Sequence, residues 1–502
     1  LLTVTGVQTC ALPISQLLSY KIATMRDFVG IRSLKCFFRN EMLVLIRKEG
    51  IKMKDYQKKL NVLILGAGFG GICTAKYLLK LTKKTPNIKI TLIDGNTYHF
   101  FTPLLHEVAT ASIHSDHIKR PLRMVFKGED VEFHHGEIEK IDLKKKTVEI
   151  CTNYTSRDNP PKYDHYTYIN KADFISDRRE RFRYDYLVLA MGSDPNFYGV
   201  TGADKHSYTL SSIKTSEEIK ARILECFELA NQTNNLQLKK ELLTFVVIGA
   251  GATGTEYLVE LHDLCKNVLA EEFEFVKFNR DCRIILIEAM DQILPNMDPY
   301  LVKYAMKHLQ DMEIEIMTST KVTKITDCTI ELNGKIFIPT HNVLWAAGVK
   351  ANDLVASLLL KENSDGRVKV NSFLQAIDRS EVFALGDNAC FMPKEGENPL
   401  MQTAQVAVQE SKTVAMNIVK HFSGKNLHHF KYVFLGSTVS LGERKGVANL
   451  IGKFELKGFS AWFSWKLTYL RHLLVIEKLS RALWDWSFDL LYNRQMARFK
   501  LH

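Results

Sequence analysis

Apolar runs that stop at glycine recur along the chain and predict buried strands. Residues 61–65 carry no charge and end at Gly66, and the stretch 72–80 that follows has a helical pattern. The order is therefore strand, tight turn and helix. Apolar runs at 88–93 and 184–190 predict two more buried strands. Strands that alternate with helices indicate an α/β fold with a parallel sheet.

The same pattern begins again in the middle of the chain. A run at 245–248 ends in a second glycine turn, and another apolar run follows at 283–287. The stretch 343–348 then repeats the strand and Ala-x-Gly turn of 187–192. Because the first pattern returns after the second unit, we expect a first domain that is interrupted by a second.

These patterns predict the division of the chain into domains. We expect an α/β fold of two Rossmann-like domains, the first interrupted by the second, and a C-terminal amphipathic helical region. The predicted bounds are a non-native or disordered leader at 1–57, a first domain at 58–200 and 341–430, a second domain at 201–340, and the C-terminal region at 431–502.

Apolar residues in the tail recur at steps of three and four, which is the helical period. Basic residues lie between them, and four of the five tryptophans of the chain are in this segment. No uncharged run reaches the ~18 residues of a transmembrane helix. The pattern favours a helix in the plane of an anionic membrane, and the alternative is a tail docked on the protein's own core or on a second subunit. The apolar positions are Trp462, Trp465, Tyr469, Leu473, Ile476, Leu479, Leu483, Trp486 and Leu490.

Composition narrows the candidate partners. The chain has 502 residues, with 46% hydrophobic and 25% charged, which is typical of a globular protein with two or three domains. A net charge of +11 indicates an anionic partner, and no nucleic-acid motif is present, so we expect phosphate-rich cofactors or an acidic membrane. Nine scattered cysteines without C-x-x-C spacing argue against a disulfide framework, a zinc site and a redox dithiol. We therefore predict no metal site.

Two segments are set aside from the fold. The chain lacks an initiating methionine, and Met25, Met42 and Met53 are candidate starts, with Met53 just ahead of the first predicted strand. A targeting peptide remains an alternative for this leader, since the stretch 25–52 is basic and partly apolar. The stretch 151–183 is polar, charged and contains proline, and it is predicted to be a surface insertion.

Both glycine turns match the G-x-G-x-x-G pattern of dinucleotide binding. In this pattern the first glycine makes the turn, the second lets the backbone approach a pyrophosphate, and the third lets helix and strand pack closely. An acid at the end of the next strand would bond a ribose hydroxyl. One chain with two such units is best explained by one flavin and one nicotinamide dinucleotide. The residues are Gly66, Gly68, Gly71 and Asp94 in the first unit and Gly249, Gly251, Gly254 and Glu288 in the second.

Three further features lie near the predicted cofactors. The apolar stretch 98–105, with Thr102 and Pro103, could cover a flat ring, or it could be ordinary core. Asp387 ends a strand and could bond flavin hydroxyls, or it could be a turn aspartate. Gln405 and Gln409 are four residues apart on a predicted helix, so their amides share one face. They could bond a quinone carbonyl or the flavin, or they could lie on a solvated face.

Taken together, these residues resemble the type II NADH dehydrogenases, which are single-chain, non-proton-pumping NADH:quinone oxidoreductases. The resemblance covers about 61–499. The glycine loops are common to the two-dinucleotide-binding-domain flavoproteins, whereas the AQVAVQE stretch and the tryptophan-rich tail are more specific. The motifs that carry the resemblance are GAGFGG (66–71), FTPLL (101–105), GAGATGTE (249–256), WAAGV (345–349), GD (386–387) and AQVAVQE (404–410).

The resemblance implies a respiratory-chain flavoprotein that is peripheral on the cytoplasmic face of the bacterial inner membrane and forms a homodimer. It implies FAD as the cofactor of the first domain (58–200 and 341–430), NADH as that of the second (201–340), and membrane association for the C-terminal region (431–502). The membrane quinone is expected to be ubiquinone or menaquinone. It places Glu256 near the nicotinamide and Gln405 and Gln409 at the quinone, as the residues that act in the reaction. The implied FAD contacts are Gly66, Gly68, Gly71, Asp94, Thr102, Pro103, Gly192, Asp387 and Ala404, and the implied NADH contacts are Gly249, Gly251, Gly254, Glu288 and Gly348.

The same residues bear on three other functions. A disulfide or sulfide reductase needs paired redox cysteines near the flavin, and no suitable pair is evident. A ferredoxin or rubredoxin reductase needs no cysteine, but it has no use for a tryptophan-lined tail. A membrane-bound flavin scaffold without turnover is the alternative from a different class. An acid at Glu288 accepts a 2′-hydroxyl and repels a 2′-phosphate, so we expect NADH to be preferred over NADPH.

Overall fold

The computed structural model describes residues 59–83, 87–152, 178–394, 396–450 and 454–474, with side chains described as far as residue 469. The predicted leader, the middle of the predicted insertion and the tail from residue 475 onward lie outside the described residues.

The first sheet has six strands, and all its neighbouring pairs are parallel except the one at the Gln375–Ala376 edge. Its central strand is buried along nearly its whole length, with Val62 beside Ile90 on one side and Tyr186 on the other. Strands from both sides of the second unit build this one sheet, as the interrupted pattern predicted. In spatial order they are Gln375–Ala376, Arg379–Ala384, Tyr186–Leu189, Leu60–Leu65, Ile88–Asp94 and Val131–His135.

Two long helices pack against each other beside this sheet, Phe69–Thr82 and Ala404–Phe422. The first begins at Phe69, directly after Gly68 of the glycine turn, and the second is capped by Thr403, whose hydroxyl accepts from the Val406 N–H. A capping hydroxyl satisfies one of the free N–H groups at a helix start. Thr403 therefore stabilises the start of the second helix, whereas Gly68 leaves the start of the first without a side-chain cap.

The second sheet has four parallel strands. Its last strand, Asn342–Trp345, pairs with Thr244–Ile248, so the boundary predicted between residues 340 and 341 falls one strand too early. The apolar run at 343–345 was assigned to the first domain because the Ala-x-Gly turn repeats, and a local pattern does not specify which sheet a strand joins. The order is Glu315–Met317, Arg283–Ile287, Thr244–Ile248 and Asn342–Trp345.

The principal helices of the second unit are Ile213–Gln232, Ala252–Leu264 and Pro299–Asp311. Ile213–Gln232 starts with a reciprocal capping box between Ser212 and Thr215. Smaller helices are Leu105–Ala109, Leu122–Val125, Ala203–His206, Leu236–Leu242, Ala270–Glu272, Phe278–Asp281 and Asp353–Ala356, with a π-helix at Cys265–Leu269 and 3₁₀ turns at Thr102–Leu104, Ser115–His117 and Gly386–Asn388.

Smaller sheets complete the two units. Ser193–Pro195 pairs with Val349–Ala351, and these two strands connect the first and second units. The predicted surface insertion was drawn too wide, because Thr147–Thr152 and Arg178–Arg183 are paired strands. Arg181 on the second strand donates to Glu149 on its neighbour, and Arg179 donates to Glu139 on the third strand of this sheet. These ion pairs explain why a charged sequence forms a strand. The remaining strands are Glu137–Asp142 beside Thr147–Thr152; Val322–Ile325, Thr329–Leu332 and Ile336–Pro339; Tyr98–Phe100 with Lys119–Pro121; and Val368–Lys369 with Ala389–Cys390.

The C-terminal part combines a three-stranded antiparallel sheet with a helix, Phe459–Leu474, which we call the C-terminal helix. Ala461 and Trp465 are buried on its inner face, so that face docks on the protein's own core. Phe459, Phe463 and Leu467 are exposed on its other side. No helix within the described residues is long and apolar enough to cross a membrane. The strands are Gly436–Ser440, Gly446–Leu450 and Phe454–Lys457.

Candidate functional site

The first glycine loop connects a buried strand to a helix, and at two of its three glycines the backbone leaves no space for a side chain. Gly66 has φ +99°, and a Cβ there would overlap the Ala190 carbonyl oxygen. A Cβ at Gly71 would overlap the Gly66 carbonyl oxygen, whereas a Cβ at Gly68 meets nothing within 4 Å. Gly66 and Gly71 thus allow close packing of the chain, and Gly68 between them leaves an open cradle at the helix N-terminus. Such a cradle fits a pyrophosphate.

The second loop repeats this arrangement on the second sheet. Gly249 has φ +100°, and a Cβ there would lie 2.5 Å from Ala347 Cα. A Cβ at Gly254 would overlap the Gly249 carbonyl oxygen, and a Cβ at Gly251 again meets open space. The two loops are therefore equivalent in backbone conformation and in the position that they leave open.

The two predicted ribose acids also occupy equivalent positions. The Ala67 N–H donates to Asp94 Oδ2 (2.6 Å), and the Ala250 N–H donates to Glu288 Oε2 (2.7 Å). Each acid thus ends the second strand of its unit and contacts the residue between the first two glycines. Burial raises the pKa of Asp94, while the Ala67 and Asn96 N–H groups oppose that rise. Each carboxyl lies beside its cradle, where a ribose hydroxyl can reach it.

Asp387 lies where the interrupted first unit closes. It sits in the 3₁₀ turn Gly386–Asn388, and the Ser193 hydroxyl donates to its Oδ2 (2.7 Å). Asn388 was not singled out from the sequence, yet its Oδ1 accepts from the Met191 N–H (2.6 Å) and its Nδ2 donates to the Gly192 carbonyl (2.7 Å). Burial raises the pKa of Asp387. The structure therefore brings Gly192 and Asp387 together across almost 200 residues of sequence.

Glu410 is a second residue to which the sequence gave no role. It is nearly inaccessible, at 1% exposure, and one of its oxygens accepts from the Gly386 N–H (2.5 Å). Burial raises the pKa of Glu410 to about 8, so the carboxyl is mostly protonated at neutral pH. Its place directly after Gln409 in the AQVAVQE motif was the only available signal. It holds the turn that carries Asp387.

The two glutamines share one face of the helix, as predicted, but they bind the chain itself. Gln405 Oε1 accepts from the Tyr432 hydroxyl (2.7 Å) and the Leu435 N–H (3.0 Å), and its amide nitrogen donates to the Gly436 carbonyl (3.2 Å). Gln409 bonds both the N–H and the carbonyl of Val433. A primary amide has two N–H donors, so each side chain keeps one N–H available for a ligand. Ala404, the first residue of this helix, is half-buried.

The remaining predicted residues lie around these loops. Thr102 is exposed and Pro103 half-buried, in a 3₁₀ turn that follows the buried Phe101. The Gly348 carbonyl accepts from the Asn196 N–H (3.0 Å), and a Cβ at Gly348 would overlap the Tyr198 hydroxyl. A side chain at this position would have to displace the exposed Tyr198 ring.

Glu256 is buried, at 4% exposure, on the helix that begins at the second glycine loop. Its Oε1 accepts from the Trp465 indole N–H (2.6 Å) and from the Ser440 N–H (3.1 Å). Burial raises the pKa of Glu256. The family resemblance implies a place near the nicotinamide for Glu256, and the sequence gave no sign that the C-terminal helix contacts the same carboxyl.

The described residues contain no group of histidine, cysteine and acidic side chains that could hold a metal ion. The seven cysteines within the described ranges are free thiols, four of them buried.

Residues 60–411 match the profile of the pyridine nucleotide-disulphide oxidoreductase family. A type II NADH:quinone oxidoreductase of Staphylococcus aureus is 30% identical over 437 residues, which cover 85% of this chain and 98% of the relative. A type II NADH:quinone oxidoreductase of Mycobacterium tuberculosis is 30% identical and covers 86% and 87%. A probable NADH dehydrogenase of Dictyostelium discoideum is 27% identical and covers 91% and 95%.

Solved structures share the fold. The structure of NDH2 from Plasmodium falciparum in complex with NADH superposes with a TM-score of 0.75 at 20% identity, covering 87% of this chain and 99% of the other. The sulfide:quinone oxidoreductase of Aquifex aeolicus superposes with a TM-score of 0.62 at 18% identity, covering 87% and 96%. At these identities the likeness concerns the fold alone.

Proposed function

The chain belongs to the type II NADH:quinone oxidoreductases, within the pyridine nucleotide-disulphide oxidoreductase family, and from this premise we propose what its site does. It is an FAD-dependent enzyme that transfers electrons from NADH to a quinone without proton pumping. The observation that carries this function is the repetition of one glycine loop and one acid in each unit of a single chain.

The described residues of the first unit fit FAD. A Cβ at Gly68 would stand in the cradle, the Asp94 carboxyl lies beside it, and Asp387 closes the site from the other segment of the unit. We infer that Thr102, Pro103, Gly192 and Ala404 line the same site. FAD supplies the redox chemistry when it is bound, because its ring accepts a hydride from NADH and gives two electrons to quinone. The protein's part is to position the partners and to exclude water.

The second unit holds NADH in this proposal. Gly251 leaves room for the pyrophosphate, Glu288 reaches the ribose, and Glu256 follows the last glycine of the loop by two residues. We infer that Gly348, three residues after the strand Asn342–Trp345 of the second sheet, lines the same site.

We expect NADH to be preferred over NADPH by about 100-fold or more in kcat/KM, because Glu288 attracts a ribose hydroxyl and repels a phosphate. Glu288→Gln keeps the shape and removes the charge, so the preference should fall about tenfold or more. Steady-state rates with both nucleotides measure this. Asp291→Asn, an exposed acid three residues further on, is the matched control and should leave the ratio unchanged. Comparable kcat/KM values for the two nucleotides in the wild type would overturn the assignment.

We place the quinone beside Gln405 and Gln409. Each amide keeps one N–H that can donate to a quinone carbonyl, and Val433, Phe434 and Leu435 nearby are about half exposed, which provides apolar surface for a quinone ring.

Stopped-flow absorbance of the flavin tests the reaction in two steps. Anaerobic NADH should bleach the flavin band, and a soluble short-chain quinone added afterwards should restore it. Gln405→Leu should slow the second step and leave the first unchanged. Bleaching without recovery in the wild type would contradict a quinone at this place and indicate a protein acceptor of the ferredoxin or rubredoxin type. FAD bound without bleaching would indicate a scaffold that does not turn over.

We further propose that the C-terminal helix lies on an anionic membrane. Phe459, Phe463 and Leu467 are 62%, 57% and 55% exposed and recur every four residues, so they form one apolar row. The double variant Phe463→Glu/Leu467→Glu should bind vesicles of anionic lipid at least about tenfold more weakly, since burial of each side chain contributes about 1.5–3 kcal/mol. Vesicle flotation measures this, with Ile336→Glu, an exposed apolar residue on a separate sheet, as control. Equal flotation of the double variant and the wild type would refute the contact.

The oligomeric state, the location and the electron acceptor are also part of the proposal. We infer a peripheral homodimer on the cytoplasmic face of a bacterial inner membrane, where it passes electrons to the respiratory chain through ubiquinone or menaquinone. Sedimentation velocity decides between monomer and dimer, and turnover with each quinone in vesicles decides between the two acceptors.

A further inference from the structure

The inner face of the C-terminal helix brings two adjacent side chains, Trp465 and Lys466, to two buried acids. The acids come from different units, Glu107 from the helix Leu105–Ala109 and Glu256 from the helix Ala252–Leu264. Both acids are almost inaccessible, at 1% and 4% exposure. Burial of charge is costly unless the charge is paired or hydrogen-bonded, so the partners of these two carboxyls matter.

Trp465 provides a hydrogen bond to the carboxyl of Glu256. Its indole N–H donates to Glu256 Oε1 at 2.6 Å, and the Ser440 N–H donates to the same oxygen at 3.1 Å. The indole is 1% exposed and packs edge to face against Tyr469, with ring centroids 4.5 Å apart. The indole nitrogen is therefore held in place by packing, and it can donate but cannot accept.

Lys466 provides the positive charge. Its Nζ donates to Glu107 Oε1 at 3.0 Å, and the side chain is 19% exposed. The ammonium group also lies 4.9 Å from the centre of the Trp465 ring, at a distance typical of a cation–π contact. One turn of one helix thus supplies both the hydrogen bond to Glu256 and the counter-charge to Glu107.

We propose that Trp465 and Lys466 are positioning residues that set the proton affinity of Glu256, so that docking of the C-terminal helix tunes the nicotinamide end of the site. The proposal rests on the proposed function, because it takes Glu256 to lie beside the nicotinamide. It extends that function by giving the helix a role in the chemistry of the site in addition to its outer apolar row.

The charges around Glu256 fix the direction of the effect. Burial raises the pKa of Glu256, the charge of Glu107 raises it further, and His106 lowers it. Tyr469 faces the same acids, and its pKa is raised well above the usual value by burial and by Glu256 and Glu107. Loss of Lys466 removes the cation that offsets Glu107, and loss of the Trp465 N–H removes a bond that favours the ionised carboxyl. Both changes should raise the pKa of Glu256.

The test is a pH titration of the full-length, FAD-loaded protein. Infrared difference spectra follow the protonated-carboxyl band that is missing in Glu256→Gln, and the pH dependence of flavin reduction by NADH follows the same group in turnover. Lys466→Met and Trp465→Phe should each move the midpoint up by about one pH unit or more, the size expected for loss of a nearby opposite charge or a bond to the charged form.

Three variants provide the controls. Lys466→Arg keeps the charge and should restore the wild-type midpoint. Ser464 lies on the same helical turn, and Ser464→Ala should leave the midpoint of Glu256 unchanged. Glu107→Gln removes the negative neighbour at nearly constant volume and should move the midpoint down, which checks that the charge paired with Lys466 acts on Glu256.

The proposal can be tested separately from the proposed function. Unchanged midpoints in Lys466→Met and Trp465→Phe, with FAD retained, would overturn the proposal. A rate of flavin reduction that falls by the same factor at every pH would overturn it as well. If those two variants lose FAD or unfold, Lys466→Gln takes their place, because it removes the charge and keeps a hydrogen-bond donor, and a midpoint that stays or falls contradicts the proposal. Failure of the wild-type flavin to bleach with NADH would refute the proposed function instead, and the infrared titration would still be informative.

Discussion

Gly66→Ala is expected to give a protein that neither binds FAD nor turns over. The residue has φ +99°, a region that alanine enters only with strain, and the new Cβ would overlap the Ala190 carbonyl oxygen. The Ala190 carbonyl belongs to the backbone directly after the strand Tyr186–Leu189, which pairs with Leu60–Leu65, so it cannot move away cheaply. We expect a loss of about 4 kcal/mol or more in the free energy of unfolding, at the upper end of single-substitution effects.

Thermal unfolding with and without added FAD measures this loss, together with the flavin absorbance of the purified protein. Gly68→Ala is the matched control. Its Cβ meets nothing within 4 Å, so the protein without FAD should unfold at the wild-type temperature while FAD binding is weakened. A Gly66→Ala protein that retains stoichiometric FAD would contradict the structural account of this turn.

Gly249→Ala is expected to remove the NADH half of the reaction and to leave FAD in place. The turn is equivalent to the first, with φ +100° and a Cβ that would approach Ala346 and Ala347. Because this strain falls on the second sheet, FAD should remain bound to the first. A displaced loop cannot hold the pyrophosphate, so kcat/KM for NADH should drop by about 100-fold or more, equivalent to about 2.7 kcal/mol of transition-state binding.

Reduction by two separate reagents distinguishes this loss from general damage. NADH should fail to bleach the flavin of Gly249→Ala, whereas dithionite should bleach it, and quinone should then restore the band at the wild-type rate. Slow recovery after dithionite would show that damage to the second glycine loop also impairs oxidation of the flavin by quinone. Normal bleaching by NADH would show that the second loop does not bind the nicotinamide dinucleotide.

The residues of the two glycine loops could be predicted from the sequence, whereas the contacts of the other site residues could not. Asp94 and Glu288 were found because a glycine turn and the strand after it have fixed spacing, and the structure brings each acid to its turn. The shared face of Gln405 and Gln409 followed from helical periodicity. Their partners did not follow, because the segment 432–436 that they bind has no pattern of its own.

The sequence by itself determined the features that depend on neighbouring residues: two strand, turn and helix units, the glycines that each turn requires, and the amphipathic pattern of the C-terminal helix. Tertiary structure alone decided which strands share a sheet, so it moved Asn342–Trp345 into the second unit. It also brought Trp465 to Glu256, 209 residues away, and Lys466 to Glu107, 359 residues away. The physical reason is that backbone conformation is set by local sterics, whereas the partner of a buried polar group is set by packing between distant segments.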